Sequence, residues 1–342
     1  MRRRTVSGFL ALVVVFALAA CENPSSGGAA ADPRTAFGSA LTTLAEETAV
    51  IYHLAEGAAF TVTAKGLAHG TLPLRNQQVS ALHAGGDLYL RAPSDYWRGQ
   101  GMSEGRAAEY GMRWARSVLA FDPGWALVPA TVAQALRAAV SPATPASRIT
   151  LANGLDVFDA AGLRVSAEPP YRVISFAPTL LGPGVVQVFG DDEIGVRGLA
   201  PGELTGLRTA FDGAVDSLGR PFVAGPVVAA GVTDNSLNCT AAGACTDTVR
   251  VSNRLVGHAP EASARLVLRS SVSSNRLGAQ ECGQEVVAPL DEETTMACSV
   301  RFTLPRLSGT ATVSAVPTVT AEPVAQTDPA AFKQDAATEL GS

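Results

Sequence analysis

Gly86-Asp87-Leu88-Tyr89-Leu90-Arg91-Ala92-Pro93-Ser94-Asp95-Tyr96-Trp97 is the stretch on which the fold turns. Leu88 to Arg91 is β-rich, as is Val79 to His83 before it, and the two flank Ala84-Gly85-Gly86-Asp87. Glycines supply the positive φ that a tight hairpin needs, so the pair reads as two antiparallel strands. Upstream, Val50 to Leu54 is a second β-rich run. After Gly57, Phe60, Val62 and Ala64 alternate with Thr61 and Thr63 as in a half-buried strand. Before these, Phe37, Leu41, Leu44 and Ala45 fall at helical spacing, which predicts an amphipathic helix over 35–47.

Downstream lies an aromatic-rich region, Tyr96-Trp97, Tyr110, Arg113-Trp114 and Gly124-Trp125, holding all three tryptophans of the chain. Tyr89, Tyr96, Trp97, Trp114 and Trp125 are the candidate ligand-binding residues; packing in the core and at its rim is the competing reading. Pro129 to Ala139 is a second predicted helix, with Pro129 at its start. A meander follows over 148–176, with turns at Asn153-Gly154, Ala161-Gly162 and Pro169-Pro170. Val185 to Phe189 and Ile194 to Val196 read as short strands, and Leu204, Leu207, Phe211 and Leu218 as a last helical stripe. The fold class expected for 35–220 is α+β, a curved antiparallel sheet with helices on one face.

On the opening helix running into a strand, the GDLYLRAPSDYW stretch, the Arg113-Trp114 strand and the 129–139 helix, this domain resembles the bacterial LolA and actinobacterial LppX and LprG lipoproteins. That resemblance implies a half-barrel whose concave face, capped by helices, receives acyl chains. The late helix over 203–218 stands where such proteins would have strands.

Helical periodicity disappears over 221–322. Strands are read at Val227-Val228, Thr246 to Val251, Ala264 to Ser271, Glu285 to Ala288, Met296 to Thr303 and Ala311 to Val316. Their spacing predicts an all-β sandwich. The cysteine and strand pattern resembles bacterial immunoglobulin-like adhesion domains, without the tryptophan of the antibody subtype. The polar segment 323–342 is expected to be a mobile tail with one short helix.

The N-terminus sets the compartment. Arg2 to Arg4 precede an apolar run of about 13 residues, too short for a permanent span of roughly 20 and typical of a cleavable signal over 1–20. Leu18-Ala19-Ala20-Cys21 resembles the bacterial lipobox. That resemblance implies diacylglyceryl attachment at the Cys21 sulfur and cleavage before it; an ordinary secreted protein cut after Ala20 is the alternative. Two acyl chains anchor firmly where one is marginal. Residues 21–34 then form the lipidated end and a Gly/Ser/Ala/Pro-rich tether, placing the protein on the extracytoplasmic face of the cell membrane. Ser7 sits where a twin-arginine signal wants an apolar residue, against that export route.

Without Arg2 to Arg4 the net charge moves from −5 to −8. An acidic surface argues against nucleic acid. Arginine carries nearly all the positive charge, Lys65 and Lys333 being the only lysines, which fits a high-GC genome. Cys239, Cys245, Cys282 and Cys298 are an even set in an exported chain, pointing to two disulfides. Pairing neighbours closes the shortest loops; a zinc site is the rival, without tight CxxC spacing.

His53, His69, His83 and His258 lack metal-ligand spacing, and Asp191-Asp192-Glu193 reads as a solvated turn. No nucleophile elbow, P-loop or dinucleotide motif stands in a supporting context. The expectation is therefore a non-enzymatic lipoprotein without metal or cofactor. Its first domain carries a hydrophobic ligand, a lipid; the alternative is a surface scaffold that binds another envelope protein through the sandwich. An apolar cavity between sheet and helices separates the two.

Overall fold

The computed structural model describes residues 32–341 except 118, 120, 142, 260 and 305–308. The segment expected to be a signal and Cys21, the expected lipidation site, lie outside the described residues.

Helix α1 (Pro33–Glu46) starts where Asp32 accepts from the Arg34 and Thr35 amides and Pro33 occupies the first turn. It leads into β1 (Ala49–His53), β2 (Ala59–Thr63), β3 (Ala68–Leu74), β4 (Gln77–Ala84) and β5 (Asp87–Arg91). Two short helices, α2 (Ser94–Gly99) and α3 (Glu104–Tyr110), precede β6 (Trp114–Arg116), α4 (Pro123–Ala126) and α5 (Pro129–Ala139). The meander is β7 (Ser147–Thr150), β8 (Asp156–Ala160), β9 (Leu163–Ser166) and β10 (Val173–Phe176). Then come α6 (Pro183–Phe189), β11 (Ile194–Gly198), α7 (Leu204–Leu218) and β12 (Phe222–Val223). Thus 185–189, expected as a strand, is helical: Pro183 opens the turn and Gly190, at φ +76°, ends it. Local capping here outweighs the β-branched run.

Strands β6-β5-β4-β3-β2-β1-β11-β10-β9-β8-β7 form one antiparallel array. The predicted hairpin is present: Ala84 pairs with Asp87 across Gly85 and Gly86, at φ +61° and +83°. Side chains alternate across the array. Val79, Ala81, Leu88 and Leu90 join a core with Ala40, Leu44, Val132 and Leu136 of α1 and α5. Leu82, Ala84 and Tyr89 pack with Phe211, Val215 and Leu218 of α7 on the other side. Helices therefore cover both faces, not one. The late apolar stripe of α7 had to bury against something, and the second face of β4 and β5 is where it does.

The remaining strands are β13 (Val227–Cys239), β14 (Ala244–Val256), β15 (Ala262–Ser274), β16 (Gly278–Ala288), β17 (Glu293–Arg301) and β18 (Val313–Ala325). A separate sheet runs β13-β14-β17, while β16-β15-β18 continues the large sheet through β12, which is parallel to β6 and antiparallel to β18. The large sheet is thus mostly antiparallel, and it is open rather than closed into a barrel. Val249, Val251 and Met296 from one sheet meet Leu266, Leu268 and Val319 from the other in a common core. Within it Ser270 donates to the fully buried Asp247 at 2.6 Å, a polar tie between the sheets. Asn253 donates to the carbonyls of Pro289 and Glu292 and accepts from the Asp291 amide, fixing the β16–β17 turn.

The segment read as a mobile tail folds back. Residues 323–325 complete β18, and α8 (Pro329–Leu340) buries Phe332, Ala336 and Leu340, with Phe332 and Ala336 in the core shared with α7. Its apolar residues are sparse, so the sequence reads as polar, yet Phe332 finds a slot over Gly85 that a Cβ would close at 2.3 Å.

The cysteines pair as neighbours, Cys239 with Cys245 and Cys282 with Cys298. The first bridge ties the end of the β13–β14 hairpin; the second joins β16 to β17 and so one sheet to the other. Replacing Cys239 and Cys245 together by alanine should cost about 2 kcal/mol, because the loop they close is short. Urea melts under non-reducing conditions measure it. No loss would mean that the strand ladder alone holds this hairpin end.

Candidate functional site

Pro93 cannot continue the ladder of β5, so the chain turns there into α2, which carries Tyr96 and Trp97 inward. Trp97 is 2 % exposed. Its ring meets Tyr96 edge-on at 4.9 Å and Phe222 at 5.1 Å, and Phe222 in turn stacks on Tyr110 at 4.2 Å. The Trp97 indole N–H is buried without an acceptor among the described residues. Burial pushes the hydroxyls of Tyr96 and Tyr110 above the usual tyrosine value, so both stay neutral.

Beside this aromatic group lies a cleft of about 290 Å³. Leu90, Trp97, Met102, Leu119 and Val227 give it an apolar lining, and Arg106 is its one charged wall. The Arg106 guanidinium lies 5.2 Å from the Tyr110 ring centroid, donates to the Pro226 carbonyl at 3.4 Å and interacts with the Tyr110 hydroxyl. Without an acidic partner among the described residues, it has donors left for an anionic or carbonyl end of an apolar ligand. The cleft opens between α2, α3 and the start of β13. It does not lie under α1 and α5, where Ala36, Ala40, Ala133 and Leu136 are fully buried and fill the space.

The five aromatic residues singled out by sequence are divided among three places. Tyr96 and Trp97 line the cleft. Tyr89 lies on the opposite face against Phe332, ring centroids 6.3 Å apart. Trp114 is also on that face, donating from its indole nitrogen to Ser217 at 2.9 Å. Trp125 is half exposed at a third site, edge-on to His83 at 5.1 Å. The alternation of strands β5 and β6 separates residues that the sequence puts side by side.

A scan against family models, a search of curated proteins and a search of solved structures each returned no match for this chain. The site's chemistry therefore rests on its own geometry. Among the described residues no three His, Cys, Asp or Glu side chains gather to hold a metal. No described helix is long and apolar enough to cross a membrane.

One histidine has an unusual setting. His83 is buried, its Nδ1 2.6 Å from the Gly66 carbonyl and its Nε2 3.3 Å from the Asp122 carboxylate, out of line for a hydrogen bond. Gly124 packs directly on the ring, where a Cβ would come within 2.4 Å. This pins α4 to β4. The Gly66, Asp122 and Gly124 contacts make the arrangement a clamp between these segments. Read from sequence, His83 is a lone strand histidine, and the partners from 66 and 122 arrive only through the fold.

Proposed function

We propose that the chain is a non-enzymatic binding protein of the cell envelope, held to the extracytoplasmic membrane face by diacylated Cys21, whose first domain takes a hydrophobic ligand in the cleft beside Trp97. The supporting observation is the mainly apolar lining of that cleft, interrupted by Gln100, Ser103 and Ser117, with a single cationic group, Arg106, at its wall. At about 290 Å³ it is at the small end of ligand pockets. The ligand is then a single apolar chain or ring system with a polar end, smaller than the full acyl cargo that the LolA and LppX resemblance implies.

The mature chain, residues 22–342 behind the anchor site, should be purified from its native host, extracted with organic solvent and examined by mass spectrometry. A stoichiometric lipid is the expected result and names the cargo. Empty, folded protein would transfer the assignment to the scaffold reading.

A further inference from the structure

A second cleft, of about 570 Å³, lies where the first domain meets the sandwich, and four arginines line it: Arg91, Arg113, Arg220 and Arg265. Two carboxylates sit among them, and their oxygens are all engaged. Glu322 accepts from Arg113 on both oxygens, at 2.7 and 3.1 Å, and from Arg265 at 2.6 Å. Glu285 accepts from Arg265 on both oxygens, at 2.9 and 2.7 Å, and from Arg220 at 2.5 Å. Each guanidinium has five donors, so donors far outnumber these acceptors. Arg91 has no acidic partner among the described residues. Its guanidinium lies 5.4 Å from the Trp114 ring centroid, and its Nε is buried without an acceptor. Glu109 and Glu285 are the acids that line the cleft, and with Glu322 behind them three acids face four arginines, so one positive charge remains over.

We infer that this junction cleft is a binding site for a phosphate-type oxyanion, held by Arg91 with help from Arg220. A tetrahedral dianion offers the acceptors that the arginines lack, and guanidinium forks match its geometry. Free phosphate esters and phospholipid headgroups share this chemistry. The assignment rests on the donor surplus and is independent of the cleft beside Trp97.

The test uses the mature chain with Cys21→Ser, so that no anchor binds vesicles by itself. Inorganic phosphate is titrated calorimetrically at low salt, and flotation is measured with phosphatidylcholine vesicles with and without phosphatidylglycerol. Saturable binding of one phosphate is expected, weakened at least about tenfold by Arg91→Met and about threefold by Arg220→Met. Rising sodium chloride should weaken it further. Arg148→Met, at the far edge of the sheet on β7, should leave it unchanged. Flotation that depends on phosphatidylglycerol and on Arg91 assigns the site to headgroups; phosphate binding without flotation assigns it to soluble esters. Absence of both, or equal affinity in the wild type, Arg91→Met and Arg220→Met, overturns the site. Should Arg91→Met fail to fold, the more exposed Arg220 carries the comparison.

Discussion

Trp97→Ala should destabilise the first domain by about 3–5 kcal/mol, the range for removing a fully buried indole from a packed core. The ring is one member of a linked aromatic row, Tyr96–Trp97–Phe222–Tyr110, and its loss leaves both neighbours without an edge contact. Phe222 belongs to β12, the two-residue strand that pairs with β6 on one side and β18 on the other. The row therefore ties α2 to the strand that joins β6 to β18. Trp97→Phe should behave differently. It keeps most of the ring and removes an indole N–H that has no acceptor, so a cost below about 1.5 kcal/mol is expected. Urea unfolding of both variants decides the matter. If phenylalanine were as damaging as alanine, the N–H would have a partner in solution, and a ligand in the adjoining cleft would be the first suspect.

The elements that were legible in the sequence are those whose pattern is local. The Gly85-Gly86 hairpin, the turns at Gly154 and Gly162 with φ of +82° and +87°, and the helices α1, α5 and α7 follow from turn chemistry and apolar spacing. The disulfide pairing followed from loop length, and the structure has it. Elements decided by distant partners were not legible. The tail's helix holds few large apolar side chains, and the largest of them, Phe332, finds room only because Gly85, far away in sequence, carries no side chain. The aromatic region was read as one unit because its members are close in sequence, but strand alternation and the turn into α2 send them to three places. The arginine cleft was hidden for a different reason. Its members come from β5, the chain between α3 and β6, the chain after α7, and β15, and arginine is common enough throughout to look like composition.

Glu322 is the residue on which the junction depends. It is 5 % exposed, on β18, between Arg113 of the first domain and Arg265 of the sandwich. Burial alone would raise its carboxyl, but hydrogen bonds from Arg113 and Arg265 and the Arg113 charge outweigh that and hold it below the ordinary 4.5. The Glu285 hydrogen bond, with that of Glu322, pushes the Arg265 guanidinium in the other direction, so the pair favours its charged form. Glu322→Gln keeps the shape but leaves two guanidinium groups facing a neutral amide in a largely desolvated place. The expected loss is about 2–4 kcal/mol near neutral pH, since removing one partner strands the others. A group whose folded value is depressed contributes stability that is complete above its unfolded value and disappears as pH falls through the folded one. The gap between wild type and Glu322→Gln should therefore be widest above pH 4.5 and close on acidification below it. Thermal melts of both proteins across pH 3 to 7 measure this. A gap that stays constant to pH 3 would show that the amide fails for steric reasons. A gap that closes would identify the carboxylate charge as what locks β18 and β15 to the chain between α3 and β6, with Arg91 left over beside it.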